Sequence, residues 1–407
     1  MRFIDKKIAI LGSGEEGRDV LDWLKTNSHG CRIKVFDKIK TANLAGFDIV
    51  FRSPGFYRYS PMIIKAEKAG VVISSATKLF FDLCPSKIIG VTGTKGKGTT
   101  TTLIYEILKS SGKKTYLAGN IGKPMLKLLS KLKASDWVCL ELSSFQLHDL
   151  TSSPHIAVVL NVTSEHLDVH KDAKEYRLAK TNIVRHQKTS DYAVVNADYK
   201  TTKKLAGLTP AKIHWFSRKR LNLDITRVRL RGEHNLENIA AAMTAAELAG
   251  ATHEDIIKTV YRFKGLEHRL ERVKTVDGVT FYNDSFSTTP ETAMAAIKSF
   301  SEPMTLILGG SDKGSDYRQL GKVIARSKHL TNLILIGKMA GKIRAAARNF
   351  PGKIVTGLKD METIVKAAGQ ISFPGSVVVL SPACASFDMF LNYKDRGEQF
   401  KFWVKKL

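Results

Sequence analysis

Residues 87–110 read KIIGVTGTKGKGTTTTLIYEILKS. An apolar run ends in a loop with glycines at 93, 96 and 98 and lysines at 95 and 97, and a stretch with helical spacing follows. A strand, a glycine loop and a helix in that order make a phosphate cradle, because successive backbone N–H groups at the helix N-terminus point toward one place. In this reading Gly93, Thr94, Lys95, Gly96, Lys97, Gly98, Thr99 and Thr100 wrap the β and γ phosphates of ATP. Lys97 neutralises the charge that builds during phosphoryl transfer, and a hydroxyl of Thr99 or Thr100 ligates Mg²⁺. The spacing departs from the plain G-x4-G-K-[ST] form: five residues separate Gly90 from Gly96, and Gly98 follows the lysine. The bland alternative is a solvated lysine-rich loop, which the strand and helix on its flanks argue against.

Outward from this loop the chain alternates strands and helices. Upstream, KKIAILG, GSGEEG, EEGRDVLDWLKTN and RIKVFD form a β-α-β unit over residues 6–37. Its glycines Gly12, Gly14 and Gly17 make G-x-G-x-x-G, and Asp37 follows 20 residues after Gly17 at the end of the next strand. Such a turn can bring a diphosphate to a helix N-terminus while the carboxylate holds a sugar or base. It is equally a turn that lets helix and strand pack closely, and NAD is disfavoured because hydride transfer needs no second phosphate cradle. Downstream come WVCLEL and HIAVVLNV, then VTFYND, MTLILGG, NLILIG and SVVVLSP separated by helical stretches. The fold class expected is α/β in three domains: a Rossmann-like N-terminal domain over 1–85, a central P-loop domain with a mostly parallel sheet over 86–264, and a C-terminal Rossmann-like α/β domain over 265–407.

With 407 residues, 43% hydrophobic and 25% charged, the chain has the composition of a folded protein rather than a disordered one. No apolar run reaches the roughly 18 residues of a membrane span, and the N-terminal apolar stretch is too short for a secretory signal, so a cytoplasmic protein is expected. Cys31, Cys84, Cys139 and Cys384 are far apart and form no C-x-x-C pair, which argues against a disulfide framework or a thiolate zinc site. Lys and Arg number 64 against 38 Asp and Glu, a net charge of +26 that fits nucleic acid, anionic surfaces or phosphorylated substrates. The densest basic stretch, Arg218 to Arg231, alternates with Leu, Ile and Val and reads as strands with a solvated face. No aromatic ladder accompanies it, so no obligatory nucleic-acid partner is expected.

Glu141 ends the strand WVCLEL, and His166 lies in NVTSEHLD after the strand HIAVVLNV. A carboxylate and an imidazole at the C-terminal ends of strands beside a P-loop are placed to hold Mg²⁺ against phosphate oxygens. Taken singly, His166 is an ordinary loop histidine. Lys180, in KEYRLAK, is by pattern an exposed helical lysine.

In order along the chain, GTKGKGTT, GNIG (119–122), ELSSFQL, NVTSEHLD, YRLAK, GEHNLENIAAA (232–242), GLEHR (265–269), NDS (283–285), LGGSDKG (308–314) and LSPACASFD (380–388) resemble the motifs of the Mur ligases. The resemblance spans nearly the whole chain. ELSSFQL and SPACASFD are most similar to the members that add D-glutamate to UDP-N-acetylmuramoyl-L-alanine in peptidoglycan precursor synthesis. The folylpolyglutamate synthases share the glycine after the P-loop lysine, but GNIG and SPACAS speak for the cell-wall enzymes.

The resemblance implies an ATP-dependent amide ligase working as a monomer through an acyl phosphate, with two Mg²⁺ ions. It implies that Lys97 and Thr99 handle phosphate, that Glu141 and His166 hold metal, and that Lys180 occupies the place of a carbamylated lysine. Asn235 and Asn238 correspond to the adenine and ribose-side asparagines, and Arg269 and Asp284 to contacts that close on the nucleotide. His268 is a candidate for orienting or proton handling, or a structural residue. On the uridine side Ser13, Gly14 and Asp37 hold UDP, with Ser53, Gly55 and Asn120 further along the acceptor. For the amino acid, Thr288, Lys313, Ser386 and Tyr393 are the candidates. Here the chain departs from its family: the usual D-S-K-A-T-N reads Asp284-Ser285-Phe286-Ser287-Thr288-Thr289, so Phe286 stands where a lysine is usual. Glu165 stands where Asp is commoner. Two other readings are an acceptor other than the muramoyl peptide, such as a folate, and a nucleic-acid-binding ATPase.

Overall fold

The computed structural model describes residues 3–37, 43–121, 124–162, 172–312 and 314–407. Three sheets carry the architecture. The first contains β1 (Lys7–Leu11), β2 (Arg32–Phe36), β3 (Ile49–Arg52) and β4 (Val72–Ser74), all parallel, in the order β2-β1-β3-β4. Helix α1 (Glu15–Asn27) follows β1. Strand order reverses at β1, which opens a crevice at its C-terminal end, where the Gly12–Gly17 turn lies.

The second sheet is also wholly parallel. It contains β5 (Lys87–Thr92), β6 (Thr115–Gly119), β7 (Trp137–Glu141), β8 (Ile156–Val159), β9 (Tyr192–Asn196) and β10 (Lys212–Phe216), in the order β10-β9-β8-β5-β7-β6. Here the order reverses at β5, so the loop into α2 (Lys97–Ser110) emerges at the switch point between the ends of β7 and β8. β5, β7 and β8 are buried along almost their whole length, as strands covered on both faces must be.

The third sheet contains β11 (Glu271–Val276), β12 (Val279–Asn283), β13 (Met304–Gly309), β14 (Leu330–Ile336), β15 (Lys353–Val355) and β16 (Val377–Leu380), in the order β11-β12-β16-β13-β14-β15. It is parallel except for the β11–β12 hairpin, whose Asp277-Gly278 turn takes positive φ at both residues, 47° and 76°. Among the described residues no helix is long and apolar enough to cross a membrane, and the four cysteines are free.

These sheets divide between two compact units, Met1–Leu223 with Leu236–Val260, and Asp224–Asn235 with Tyr261–Leu407. In the first unit one apolar cluster runs through both sheets, joining Ile8, Ile10, Phe51 and Phe80 to Ile88, Val138 and Ala157. The sheets on either side of exposed Pro85, where a joint is expected, thus share one apolar cluster. The second unit takes in Asp224–Asn235 ahead of the joint expected near Gly265.

The basic stretch after β10 corrects the expectation of strands. It forms two single 3-10 turns, Arg218–Arg220 and Ile225–Arg227. Ser217 Oγ accepts from Lys219 N at 3.2 Å and Asp224 Oδ1 from Thr226 N at 3.1 Å, so short polar side chains claim the backbone donors that a strand would need.

A buried ion pair fastens the first sheet to the second. Arg52, at the end of β3, donates from Nε and Nη2 to Asp149 Oδ2 at 3.0 and 2.6 Å, and its remaining donors reach the carbonyls of Phe145 and Phe56 at 2.7 Å each. Both side chains are 2% exposed. Arg52→Met is expected to lower the unfolding free energy by about 3–5 kcal/mol, because Asp149 would keep a buried charge with one cation fewer. Urea unfolding of the variant checks this.

Candidate active site

The glycine loop after β5 passes into α2 through a residue that only glycine serves well. Gly96, the N-cap of α2, has φ +86°, and a Cβ there would run into the side-chain amide of Asn238. Thr94 N donates to Asn161 O at 2.6 Å, which pins the loop to the end of β8. Lys97 folds back over the loop, with Nζ donating to Gly93 O and Thr94 O at 3.1 Å each. Thr99 and Thr100 are buried in the first turn of α2, and Thr100 Oγ1 has no partner among the described residues. Gly96→Ala is expected to weaken nucleotide binding by roughly ten- to a hundredfold, since it strains the loop and displaces Asn238. Nucleotide titration of the purified variant measures it.

Glu141, 4% exposed, closes β7 and accepts from Asn120 Nδ2 at 2.9 Å, while Asn120 N donates to Glu141 O at 3.0 Å. The expected metal ligand and an expected acceptor contact are therefore neighbours. Carboxylate and hydroxyl oxygens beside a phosphate loop are the hard donors Mg²⁺ prefers, so Glu141 and the loop threonines fit that ion. His166 and Glu165 lie outside the described residues, as does Gly122 of GNIG.

Lys180 is not the exposed lysine its pattern suggests. It is 1% exposed on α3 (Ala173–Arg185), with Nζ donating to Gly93 O at 3.0 Å and Thr92 Oγ1 at 3.3 Å and lying 4.8 Å from the centre of the Tyr176 ring. Tyr176 OH is 3.2 Å from Thr94 Oγ1. The face of α3 that carries Tyr176 and Lys180 packs against the glycine loop, while Arg177 and Leu178 are exposed, and a short helical pattern cannot reveal which face is which.

At the end of β1, Gly12 has φ +99°, and a Cβ on Gly17 would collide with the Gly12 carbonyl oxygen. These two glycines let the turn close on itself. Asp37 Oδ1 accepts from Ser13 N at 3.1 Å, so the expected sugar-binding carboxylate also holds the turn. Ser53 lies against Gly12, and Gly14 caps α1 with no side chain above it. Ser13, Gly14, Asp37 and Gly55 are exposed.

In the second unit the candidate residues gather around Asp284. Burial pushes its carboxyl up to about 7, against bonds from Ser381 Oγ at 2.7 Å and Leu270 N at 3.1 Å that favour the anion. Arg396, which sequence reasoning missed, is fully buried and joins two candidate loops. Its Nε and Nη2 donate to Ser285 Oγ and O at 2.9 Å each, and Nη2 and Nη1 to the carbonyls of Cys384 and Ala385 at 3.2 and 3.4 Å. Burial lowers its pKa to about 10. A lone arginine in an amphipathic helix gives no hint of this role.

Phe286 stacks edge-on against Tyr393 at 5.1 Å, and the Arg269 guanidinium lies 4.1 Å from the centre of its ring. Position 286 thus carries no charge of its own but holds a cation over its face. Thr288 is half-buried and Ser386 buried, while Lys313 lies outside the described residues. Asn235 Nδ2 donates to Arg231 O at 2.7 Å. His268 is 4% exposed at φ +61°, with Nδ1 2.9 Å from Asn283 Nδ2. Burial and nearby Lys401 lower its pKa, so the ring is neutral near pH 7. Glu267, His268 and Glu398 form a ligand-like cluster, but Lys401 Nζ already lies 2.6 and 2.7 Å from the two carboxylates and supplies the cation.

Two family models match this chain, the Mur ligase middle domain over residues 91–227 and the Mur ligase glutamate ligase domain over residues 268–384. The UDP-N-acetylmuramoylalanine--D-glutamate ligase of Acetivibrio thermocellus is 40% identical over 99% of this chain and 97% of its own length. The chain belongs to the Mur ligase family. A protein of the same description from Symbiobacterium thermophilum is 41% identical over 89% of this chain and 85% of its own. Among solved structures, the UDP-N-acetylmuramate-alanine ligase of Thermotoga maritima aligns with a TM-score of 0.63 at 16% identity, over 98% of this chain and 99% of its own. The MurF ligase of Thermotoga maritima, solved with ADP, aligns with a TM-score of 0.63 at 19% identity, over 100% of this chain and 98% of its own. Similarity at that level establishes the shared Mur ligase fold.

Proposed function

We infer that this chain is an ATP-dependent ligase that joins D-glutamate to UDP-N-acetylmuramoyl-L-alanine in peptidoglycan precursor synthesis. The observation that carries this reading is near-full-length identity of 40% to a relative described by that activity. The reaction phosphorylates the acceptor's carboxylate, and the amino group then displaces phosphate through a tetrahedral intermediate, giving amide, ADP and phosphate. Both steps gather negative charge in one place, and preorganised donors and cations there lower both barriers.

Lys97 and the loop amides hold the transferred phosphoryl group, while Asn238 shapes the nucleotide side of the loop. Mg²⁺, held by Glu141, Thr99 and His166, would supply Lewis-acid stabilisation of the phosphate oxygens. Lys180 is proposed as a carbamate, an oxygen donor that a plain ammonium is not. Asn120, beside Glu141, guides the acceptor toward the phosphate loop, and the Gly12–Gly17 turn with Asp37 takes its uridine diphosphate. From the second unit Asn235, Arg269 and Asp284 are proposed nucleotide contacts. Thr288, Lys313, Ser386 and Tyr393 are proposed for the amino acid, with neutral His268 able to accept a proton.

Phosphate release with ATP, Mg²⁺ and UDP-N-acetylmuramoyl-L-alanine tests this against a panel of amino acids. Release is expected with D-glutamate. Release only with another amino acid would trace to Phe286 and the loss of the family lysine. No release with any amino acid, or ATP hydrolysis driven by nucleic acid, would overturn the ligase reading.

A further inference from the structure

The turn proposed for a diphosphate contains two carboxylates, Glu15 and Glu16, in the first turn of α1. Acidic residues are common there, since they complement the helix dipole from an exposed position. Glu16 does not do this. Its side chain turns inward toward Gln146 of ELSSFQL, whose Nε2 donates to Glu16 Oε1 at 2.7 Å. The direction of that amide is determined, because Ser143 N, an obligate donor, bonds Gln146 Oε1 at 2.9 Å. Glu16 Oε2 is buried and has no partner among the described residues.

The groups facing this carboxyl divide: the Gln146 bond and the Arg52 charge favour the anion, and the loss of water outweighs them. Arg52 on β3 attracts it, but the donors of Arg52 are committed to Asp149 and to the carbonyls of Phe145 and Phe56. Asp19 and Glu15 of its own helix repel it. A diphosphate arriving at the neighbouring helix N-terminal amides would add a further negative charge against the anion and compete with it for those amides.

We propose that Glu16 makes acceptor binding proton-linked: its carboxyl is neutral when the UDP-linked acceptor occupies the Gly12–Gly17 turn, and its ionisation opposes the diphosphate. This rests on the reading that the diphosphate is held at that turn. The proton belongs on Oε2, the oxygen that lacks a partner. Desolvation already brings the free carboxyl to about 7, and a bound diphosphate raises it further. Binding therefore takes up a proton above neutrality, and affinity falls as pH rises. The acceptor's own diphosphate diester and carboxylate do not titrate near neutrality, so they contribute no such slope.

Calorimetric titration with UDP-N-acetylmuramoyl-L-alanine, without ATP, tests this from about pH 6 to about pH 8.5. Wild-type affinity is expected to fall roughly tenfold between about pH 7 and about pH 8.5, and Glu16→Gln to bind with no slope and about tenfold more tightly at the upper end. Titrations of the wild type in two buffers of different ionisation enthalpy need no variant, and are expected to give uptake approaching one proton at about pH 8. A flat wild-type profile with no proton uptake, or a slope retained in Glu16→Gln, overturns the proposal. Asp37→Ala separates the underlying reading: if it binds acceptor as the wild type does at every pH, the turn is not the diphosphate site and the proposal falls with it. If Asp37→Ala binds weakly while the wild-type profile is flat, the site stands and only the role of Glu16 fails.

Discussion

Lys97→Ala is expected to cut D-glutamate-dependent phosphate release by at least about a thousandfold while leaving the fold intact. The lysine opens α2, and its ammonium reaches back to Gly93 O and Thr94 O, so it is held over the loop before any nucleotide arrives. A cation fixed in advance costs no reorganisation as charge develops on the phosphoryl group. Alanine removes the charge and the tether together. Lys97→Arg is expected to recover little, because a planar fork does not fit a loop shaped around one ammonium. Single-turnover phosphate release measures the loss. An urea midpoint close to wild type shows that it is not unfolding.

The second large effect concerns Lys180. A lysine 1% exposed beside Gly93 O, Thr92 Oγ1 and the Tyr176 ring has neighbours that are ordinary partners for an ammonium. The phosphate loop beside it must nevertheless accumulate metal and phosphate in turnover. There the proposed carbamate, formed when the neutral amine adds to CO₂ and releases a proton, would contribute an anionic oxygen where an ammonium would repel the metal. Stripping CO₂ and bicarbonate from the assay is expected to lower activity at least about tenfold, and Lys180→Ala to lower it about a hundredfold or more. A carbamate carbon resonance on exposure to ¹³C-labelled CO₂, absent in Lys180→Ala, is the readout independent of turnover. With no resonance and no CO₂ dependence, Lys180 acts as a cation on phosphate.

Some of this was legible without coordinates because it depends on near neighbours in the chain. A strand, glycines at set intervals and a helix specify the phosphate loop, and Gly96 must be glycine whatever surrounds the domain, since its φ is positive. The same holds for Gly12 and for the parallel α/β class, which follows from apolar runs alternating with helical stretches. The Arg218–Arg231 stretch shows where such reading stops. Its alternation of basic and apolar residues matches a strand, but Ser217 and Asp224 take the backbone donors first.

What required the tertiary structure is whatever depends on a partner distant in sequence. Lys180 has the pattern of an exposed helical charge and is buried against Gly93, and half-buried Glu16 turns its carboxyl inward to Gln146. Arg52 and Arg396 have no motif at all, yet each binds together loops separated by about a hundred residues. The sequence by itself determined the strand–glycine loop–helix unit, the fold class and the family of this chain, because hydrogen-bond direction and side-chain period are local properties. Only the tertiary structure decided which of its many charges leave water, because desolvation depends on everything packed around a group rather than on its neighbours in the chain.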